Sequence, residues 1–238
     1  MSVQYALDDL IDGRLPRGLG GRFYGVYAAL VIDINDHDGK GKVKIKLPWS
    51  HDSEGNGYEA WARLATVMAG NNRGSWFVPD VNTEVLVTFE AGDPRHPYVI
   101  GSLWNGVDLP PDSMDSEGNN YRKTFRSRNG VKITLDDTDG REVLSLETPA
   151  GQSVILKDGQ NSIEIKDSNG NFIKMGKNGI TVHTDQKLTL QAQTVEVSAP
   201  TVTVVSGTSK FNGLVQINDT VTNTVVSSSY LPGAGNIW

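Results

Sequence analysis

Cysteine is absent from the 238 residues, which excludes a disulfide framework, a thiolate metal site and a thiol nucleophile. Long apolar runs are missing too. The apolar stretch at residues 27–34 is far shorter than the roughly 20 residues that cross a bilayer. Residues 1–10 carry Asp8 and Asp9 where a leader would have a basic start and an apolar run. A soluble chain, made in the cytoplasm without a conventional export signal, is the expectation. There is no basic excess: the net charge is −6 and the pI is near 5.2. That balance opposes a sequence-independent grip on nucleic acid, which depends on Lys and Arg neutralising phosphates. Helical patterning is scarce, since only residues 3–11 put Leu7, Leu10 and Ile11 at helical spacing before Asp12-Gly13 and Pro16 stop it.

What remains is β patterning. Residues 26–34, 42–47 and 84–89 are strand-like, and Lys42-Val43-Lys44-Ile45-Lys46-Leu47 alternates basic and apolar with a strict period of two. Asn35-Asp36-His37-Asp38-Gly39 and Gly92-Asp93-Pro94 are turn-rich breaks. Residues 22–106 therefore read as a compact barrel or sandwich of short strands. Residues 107–126, with Pro110, Pro111, Gly118 and Asn119, are too polar for a core of their own and read as a linker.

Beyond the linker the chain becomes repetitive. Asx-Gly turn signals stand at Asn129-Gly130, Asp139-Gly140, Asp158-Gly159, Asn169-Gly170, Asn178-Gly179 and Asn212-Gly213. Between them lie apolar pairs two residues apart: Val131/Ile133, Leu144/Leu146, Val154/Leu156, Ile163/Ile165, Ile173/Met175, Ile180/Val182, Leu188/Leu190, Val195/Val197 and Val202/Val204. Short strands with one apolar face and tight corners describe a solenoid or fibre over residues 127–229. A single copy is too thin. At roughly 25 cal/mol per Å2, two or three aliphatic side chains barely offset the ordering of a short strand at about 1–2 kcal/mol per residue. Winding with two siblings would put these pairs on one axis and pair the free edges, so an intertwined homotrimer is inferred, although composition by itself does not fix the number.

Several residues carry a family likeness. Gly41-Lys42-Val43-Lys44-Ile45-Lys46-Leu47-Pro48-Trp49 is followed by Trp61-Ala62-Arg63, Ala69-Gly70, Gly74, Trp76-Phe77-Val78-Pro79 and Glu84-Val85-Leu86-Val87-Thr88-Phe89. Then come Gly92-Asp93-Pro94-Arg95-His96-Pro97 and Gly101. Over about 80 residues this order resembles the OB-fold domain of phage baseplate assembly protein V and VgrG-type spike proteins. The resemblance implies an all-β protein: a short N-terminal helix (1–21), an OB barrel (22–106), the linker, an intertwined trimeric β-helix needle (127–229) and a tip segment (230–238). It implies a central spike of a contractile tail or injection machine, driven through a target envelope when a sheath contracts. Implied partners are a separate hub protein at the OB end, baseplate wedge or tube proteins, and a PAAR-type tip protein over Tyr230, Ile237 and Trp238. The paired His-x-His that holds an apical iron in some phage spikes is missing, so neither metal nor cofactor is expected.

Catalytic candidates would be the carboxylate groups Asp33, Asp36 and Asp38, or Asp136, Asp137 and Asp139, because polysaccharide-cutting β-helices use paired acids. Both groups adjoin Gly39 or Gly140, where Asp serves as a turn residue. His37, His51, His96 and His183 have no mutual metal-ligand spacing. Trp49, Tyr58, Trp61, Trp76 and Phe77 could stack bases, but core or subunit packing accounts for them as well. Lys42, Lys44 and Lys46 share a strand face and would be solvated or paired with a neighbour's acids. The expected role is structural and not enzymatic. The rival is a glycan-binding or glycan-degrading tail fibre, which would need a groove of acids and aromatics that residues 188–229 hardly supply.

Overall fold

A computed structural model describes residues 22–51, 57–224 and 226. The expected helix in residues 1–21, and Tyr230, Ile237 and Trp238, lie outside the described residues. Five strands close a barrel in the order β1-β2-β3-β7-β6. These are β1 (Val26–Asp33), β2 (Val43–His51), β3 (Gly57–Leu64), β6 (Glu84–Phe89) and β7 (Pro97–Ser102). All barrel pairings are antiparallel except β3 with β7, where Arg63 faces Tyr98 and Leu64 faces Val99 in parallel register. Period-two alternation builds the interior: Val43, Ile45 and Leu47 of β2 and Val85 and Val87 of β6 are fully buried, while the lysines between the former point outward. Val31 and Val99 complete this aliphatic core. One end is filled by rings, with Phe23 4.8 Å from Phe89 and Tyr27 5.3 Å from Trp49, centroid to centroid.

A two-residue-per-strand hairpin, β4 (Ala69–Gly70) with β5 (Arg73–Gly74), stands off the barrel between β3 and β6. The chain then runs without a strand from Ser102 to Arg122. The next strand, β8 (Arg122–Arg126), falls inside the segment that reads as linker from the sequence. It escapes sequence reading because its five residues offer only Phe125 and Thr124 to an apolar pattern.

With β9 (Lys132–Asp136), β10 (Val143–Glu147), β11 (Ser153–Lys157), β12 (Ser162–Lys166), β13 (Phe172–Gly176) and β14 (Gly179–His183), β8 forms one seven-stranded sheet. Every strand pairs antiparallel with its sequence neighbours. Within one chain this region is a meander, so any helical winding of the needle has to arise between chains. The corners use local side-chain chemistry: Asp167 Oδ1 accepts from the backbone N–H of Asn169 at 2.8 Å and of Asn171 at 3.0 Å.

Residues from Leu188 onward form a separate unit. Its described residues contain no strand and are exposed. The bonds there are local, such as that from the Thr208 N–H to Ser206 Oγ at 3.1 Å.

A candidate assembly surface

The meander's register decides where its side chains go. Because successive side chains alternate between faces, residues directly opposite one another across every ladder share a face. Leu135, Leu144, Leu156, Ile163, Met175 and Ile180 are aligned across six strands in one row. Phe125, Ile133, Leu146, Val154, Ile165, Ile173 and Val182 form a second row across all seven. The two rows alternate at period two and cover the same face. Most of these side chains are open to solvent, from 37% exposed at Ile163 to 71% at Ile180, with only Val154 and Met175 half-buried.

The opposite face is mostly polar, although Val143, Ile155 and Phe172 also lie on it. Lys132 Nζ meets Glu147 Oε2 at 3.0 Å in directly opposed positions of β9 and β10. Glu164 takes Lys174 at 3.0 Å and Lys157 at 3.5 Å. The Lys174 hydrogen bond, with Lys157 nearby, holds the Glu164 carboxyl below its ordinary range. Pairs of this kind contribute little to stability, but they mark the more polar face, on which Ser145, Ser153 and Ser162 are nonetheless buried. The sheet is thus two-sided in chemistry and single-layered in one chain. A sheet with a continuous apolar face is stable only when that face is covered.

The pairs from Ile133 to Val182 that the sequence marks as a shared core all fall in these two rows. Val131 stands just before β9, where its carbonyl accepts the Ser127 N–H at 2.8 Å. Leu188, Leu190, Val195, Val197, Val202 and Val204 are exposed and lie in no strand. Leu135 and Phe125 are row members that sequence reasoning missed. The signal for Leu135 was present, since it extends the Val131/Ile133 alternation by one step.

The barrel and the sheet meet through specific contacts. Phe77 stacks on Phe125, with centroids 6.3 Å apart and planes 24° from parallel. Arg128 pairs with Asp80.

The carboxylate clusters are occupied with turn chemistry. Asp36 accepts from the backbone N–H groups of Asp38 (3.1 Å), Lys40 (2.7 Å) and Lys42 (3.0 Å), which lowers its pKa, the Lys42 bond contributing most. Asp33 Oδ1 accepts from the Asn35 N–H at 2.8 Å. Asp136 accepts both the hydroxyl and the N–H of Thr138, at 2.6 and 3.0 Å, and Asp137 pairs with Lys123 at 2.7 Å. Lys42 and Lys44 find acids within their own chain, Asp38 at 2.6 Å and Glu59 at 2.7 Å. Their use as inter-subunit partners is therefore not required.

His96 lies 3.7 Å from Asp93, and His183 stacks on Phe172 with centroids 4.8 Å apart. No group of three or more His, Cys, Asp or Glu with metal-binding geometry occurs among the described residues. Trp49 and Tyr58 belong to the ring cluster of the barrel end, whereas Trp76 and Phe77 are exposed.

A closed five-stranded barrel followed by a one-sided sheet defines an OB domain joined to an assembly segment. Known families match in the same order. Residues 27–104 match the type VI secretion system/phage-baseplate injector OB domain, and residues 142–208 match the phage baseplate V C-terminal trimerisation domain. The chain is a phage baseplate V/VgrG-like protein.

It is 28% identical over 127 residues to the type VI secretion system spike protein VgrG1a of Pseudomonas aeruginosa, covering 50% of this chain and 20% of that one. VgrG4b of the same organism is 31% identical over 120 residues, 50% of this chain and 14% of the relative. The actin cross-linking toxin VgrG1 of Vibrio cholerae is 27% identical over 142 residues, 59% and 12% respectively. The chain thus spans a fifth or less of the length of these relatives. None of these likenesses favours a glycan-degrading fibre.

Proposed function

We propose that three copies of this chain bring their apolar faces together around a common axis and form the central spike of a contractile tail or injection machine. The observation that carries this reading is the pair of apolar rows, open along one side of a seven-stranded sheet. Much of that sheet lies in residues similar to a trimerisation domain. Burying such a face stabilises by roughly 25 cal/mol per Å2 of apolar surface, and three one-sided sheets around an axis leave none of their apolar faces outside.

The shared core then consists of the row residues with Val131, continued by Leu188, Leu190, Val195, Val197, Val202 and Val204. In one chain the latter are exposed and lie in no strand, as residues that need partners from other chains would. The work is mechanical: a stiff trimeric shaft transmits axial force, and its performance depends on slow forced unfolding and not on a chemical rate. No enzymatic step is assigned to it.

A separate hub protein would hold the barrel end, with wedge or tube proteins around it, and a PAAR-type protein would cap Tyr230, Ile237 and Trp238. Delivery would be outside the producing cell, into a target envelope. Sedimentation of the purified chain tests the core of the proposal. A species of three times the 25.8 kDa chain mass that survives SDS at room temperature is expected. A folded monomer at micromolar concentration would rule the spike out.

A further inference from the structure

The mostly polar face of the sheet carries a row of its own. Arg126, Lys132, Glu147, Ser153 and Lys166 stand directly opposite one another along the adjacent strands β8 to β12. All of them line one cavity of about 570 Å3, walled on one side by Pro111 and Asp112 of the strandless connection. The acids in it are already taken. Lys132 holds Glu147 at 3.0 Å, and Arg122 holds Asp112 at 2.8 Å. Arg126 and Lys166 have no acidic partner among the described residues, so the cavity keeps uncompensated positive charge in a chain whose net charge is −6.

A second feature is independent of charge. Ser153 is only 8% exposed, and its hydroxyl, on the lining of the cavity, has no hydrogen-bond partner. A buried hydroxyl left unpaired is unfavourable, and an acceptor brought by a ligand removes that deficit. Ser153 and Lys166 are direct cross-strand neighbours, so they offer donors to one anion from two directions. A phosphate group, with three strong acceptor oxygens, suits such donors better than a planar carboxylate does. Arg126 lies four ladder steps of about 4.8 Å from Lys166, a span that calls for more than one phosphate. No aromatic side chain lines the cavity among the described residues, which leaves a nucleic-acid base nothing to stack on.

We propose that this cavity binds a molecule with two or more phosphate groups and no bases, one phosphate lying between Ser153 and Lys166 and another at Arg126. The site is built within a single chain, on the face that the three-chain reading leaves outside, and does not depend on that reading. Inorganic polyphosphate and a phosphorylated lipid headgroup share this chemistry.

Calorimetric titration of the full chain with tripolyphosphate at fixed ionic strength is expected to show binding, and tighter binding than with inorganic phosphate. Lys166→Gln and Arg126→Gln should each weaken it roughly tenfold, as loss of one charge-assisted hydrogen bond would. Both side chains are exposed, so neither variant removes a packed group. Ser153→Ala should weaken it as well. Lys210→Gln, at an exposed position outside the cavity, should leave it unchanged. No binding, or equal weakening by Lys210→Gln, would overturn the proposal, as would tighter binding of a single-stranded oligonucleotide than of tripolyphosphate. Flotation with phosphatidylcholine vesicles, with and without diphosphorylated lipid A, separates the two sources. Retention on the phosphorylated vesicles that Lys166→Gln abolishes assigns the site to a headgroup, and tripolyphosphate binding without retention assigns it to free polyphosphate.

Discussion

Arg128 grips Asp80 at two points: its Nε donates to Asp80 Oδ2 at 3.0 Å and its second guanidinium nitrogen donates to Oδ1. The pair ties the turn before β6 to the corner between β8 and β9, bypassing the strandless connection from Ser102 to Arg122. Both side chains are largely exposed, so the pair contributes only about 0.2–1 kcal/mol to stability. Its effect is on stiffness. Arg128→Ala is expected to leave the melting temperature within a few degrees of the parent while speeding protease cleavage between residues 105 and 121. Asp80→Asn should act the same way, and the double variant should be no worse than either single one. Additive effects would show that the two residues act separately.

Leu146 sits between Ile133 and Val154 in the second row. Leu146→Asp puts a charge in the middle of the face that three chains would bury, at a cost of about 3–5 kcal/mol for an unpaired buried charge. Sedimentation should then report the single-chain mass. Thr181→Asp is the matched control, because Thr181 lies on the polar face opposite Lys174, where a carboxylate is tolerated. It should leave the mass of the assembly unchanged. Loss of assembly in both variants would mean that general instability, and not the apolar face, is being read.

The contrast between those two positions explains what was legible in the sequence. Period-two alternation marks a face with no knowledge of its partner, so Val43, Ile45 and Leu47, and equally Ile163 and Ile165, could be assigned to an inward side. Register is a different matter. That Lys44 reaches Glu59 follows from the alignment of β2 with β3, which no local pattern encodes. The β8 strand was invisible because Arg122, Lys123 and Arg126 outnumber its apolar residues. The junction of barrel and sheet was invisible for a different reason, since Phe77 and Phe125 are 48 residues apart and no local pattern links them.

Ionisation should set both limits of the pH range. Asp36 has its pKa lowered, first by the Lys42 N–H, so it contributes stability that is present above its ordinary value of 3.8 and is lost as pH falls through the depressed folded value. Asp36→Asn, which does not titrate, should flatten the acid limb of a stability–pH curve. At the alkaline end, burial first and the Asp93 charge second push Tyr58 up to about 12 from 10.0. The unfolded chain then ionises before the folded one, and stability falls between those two values as pH rises. Tyr58→Phe should remove much of that slope, at the expense of the hydrogen bond its hydroxyl donates to the Pro94 carbonyl, a bond of about 1 kcal/mol. Denaturant titrations at pH 7, 10.5 and 11.5 would compare the two proteins. Parallel curves would show that another group sets the alkaline limit.

Two glycines at neighbouring corners of the sheet should respond differently to the same substitution. Gly140 has φ of 67° and open space around the position of a Cβ, so Gly140→Ala meets only the left-handed backbone penalty, about 1–2 kcal/mol. Gly159 does not have positive φ, yet an added Cβ would stand 2.4 Å from the Gly140 carbonyl oxygen and 3.3 Å from the Arg141 Cα. These are backbone atoms, held by the Asp158 N–H bond to the Glu142 carbonyl at 2.9 Å, so neither corner can yield without breaking the ladder between β10 and β11. Gly159→Ala is therefore expected to destabilise more than Gly140→Ala. Amide exchange should be faster at Glu142 to Glu147 and Ser153 to Asp158 and near its parent rate in the barrel. Equal losses from the two variants would mean that the corners do not pack on one another.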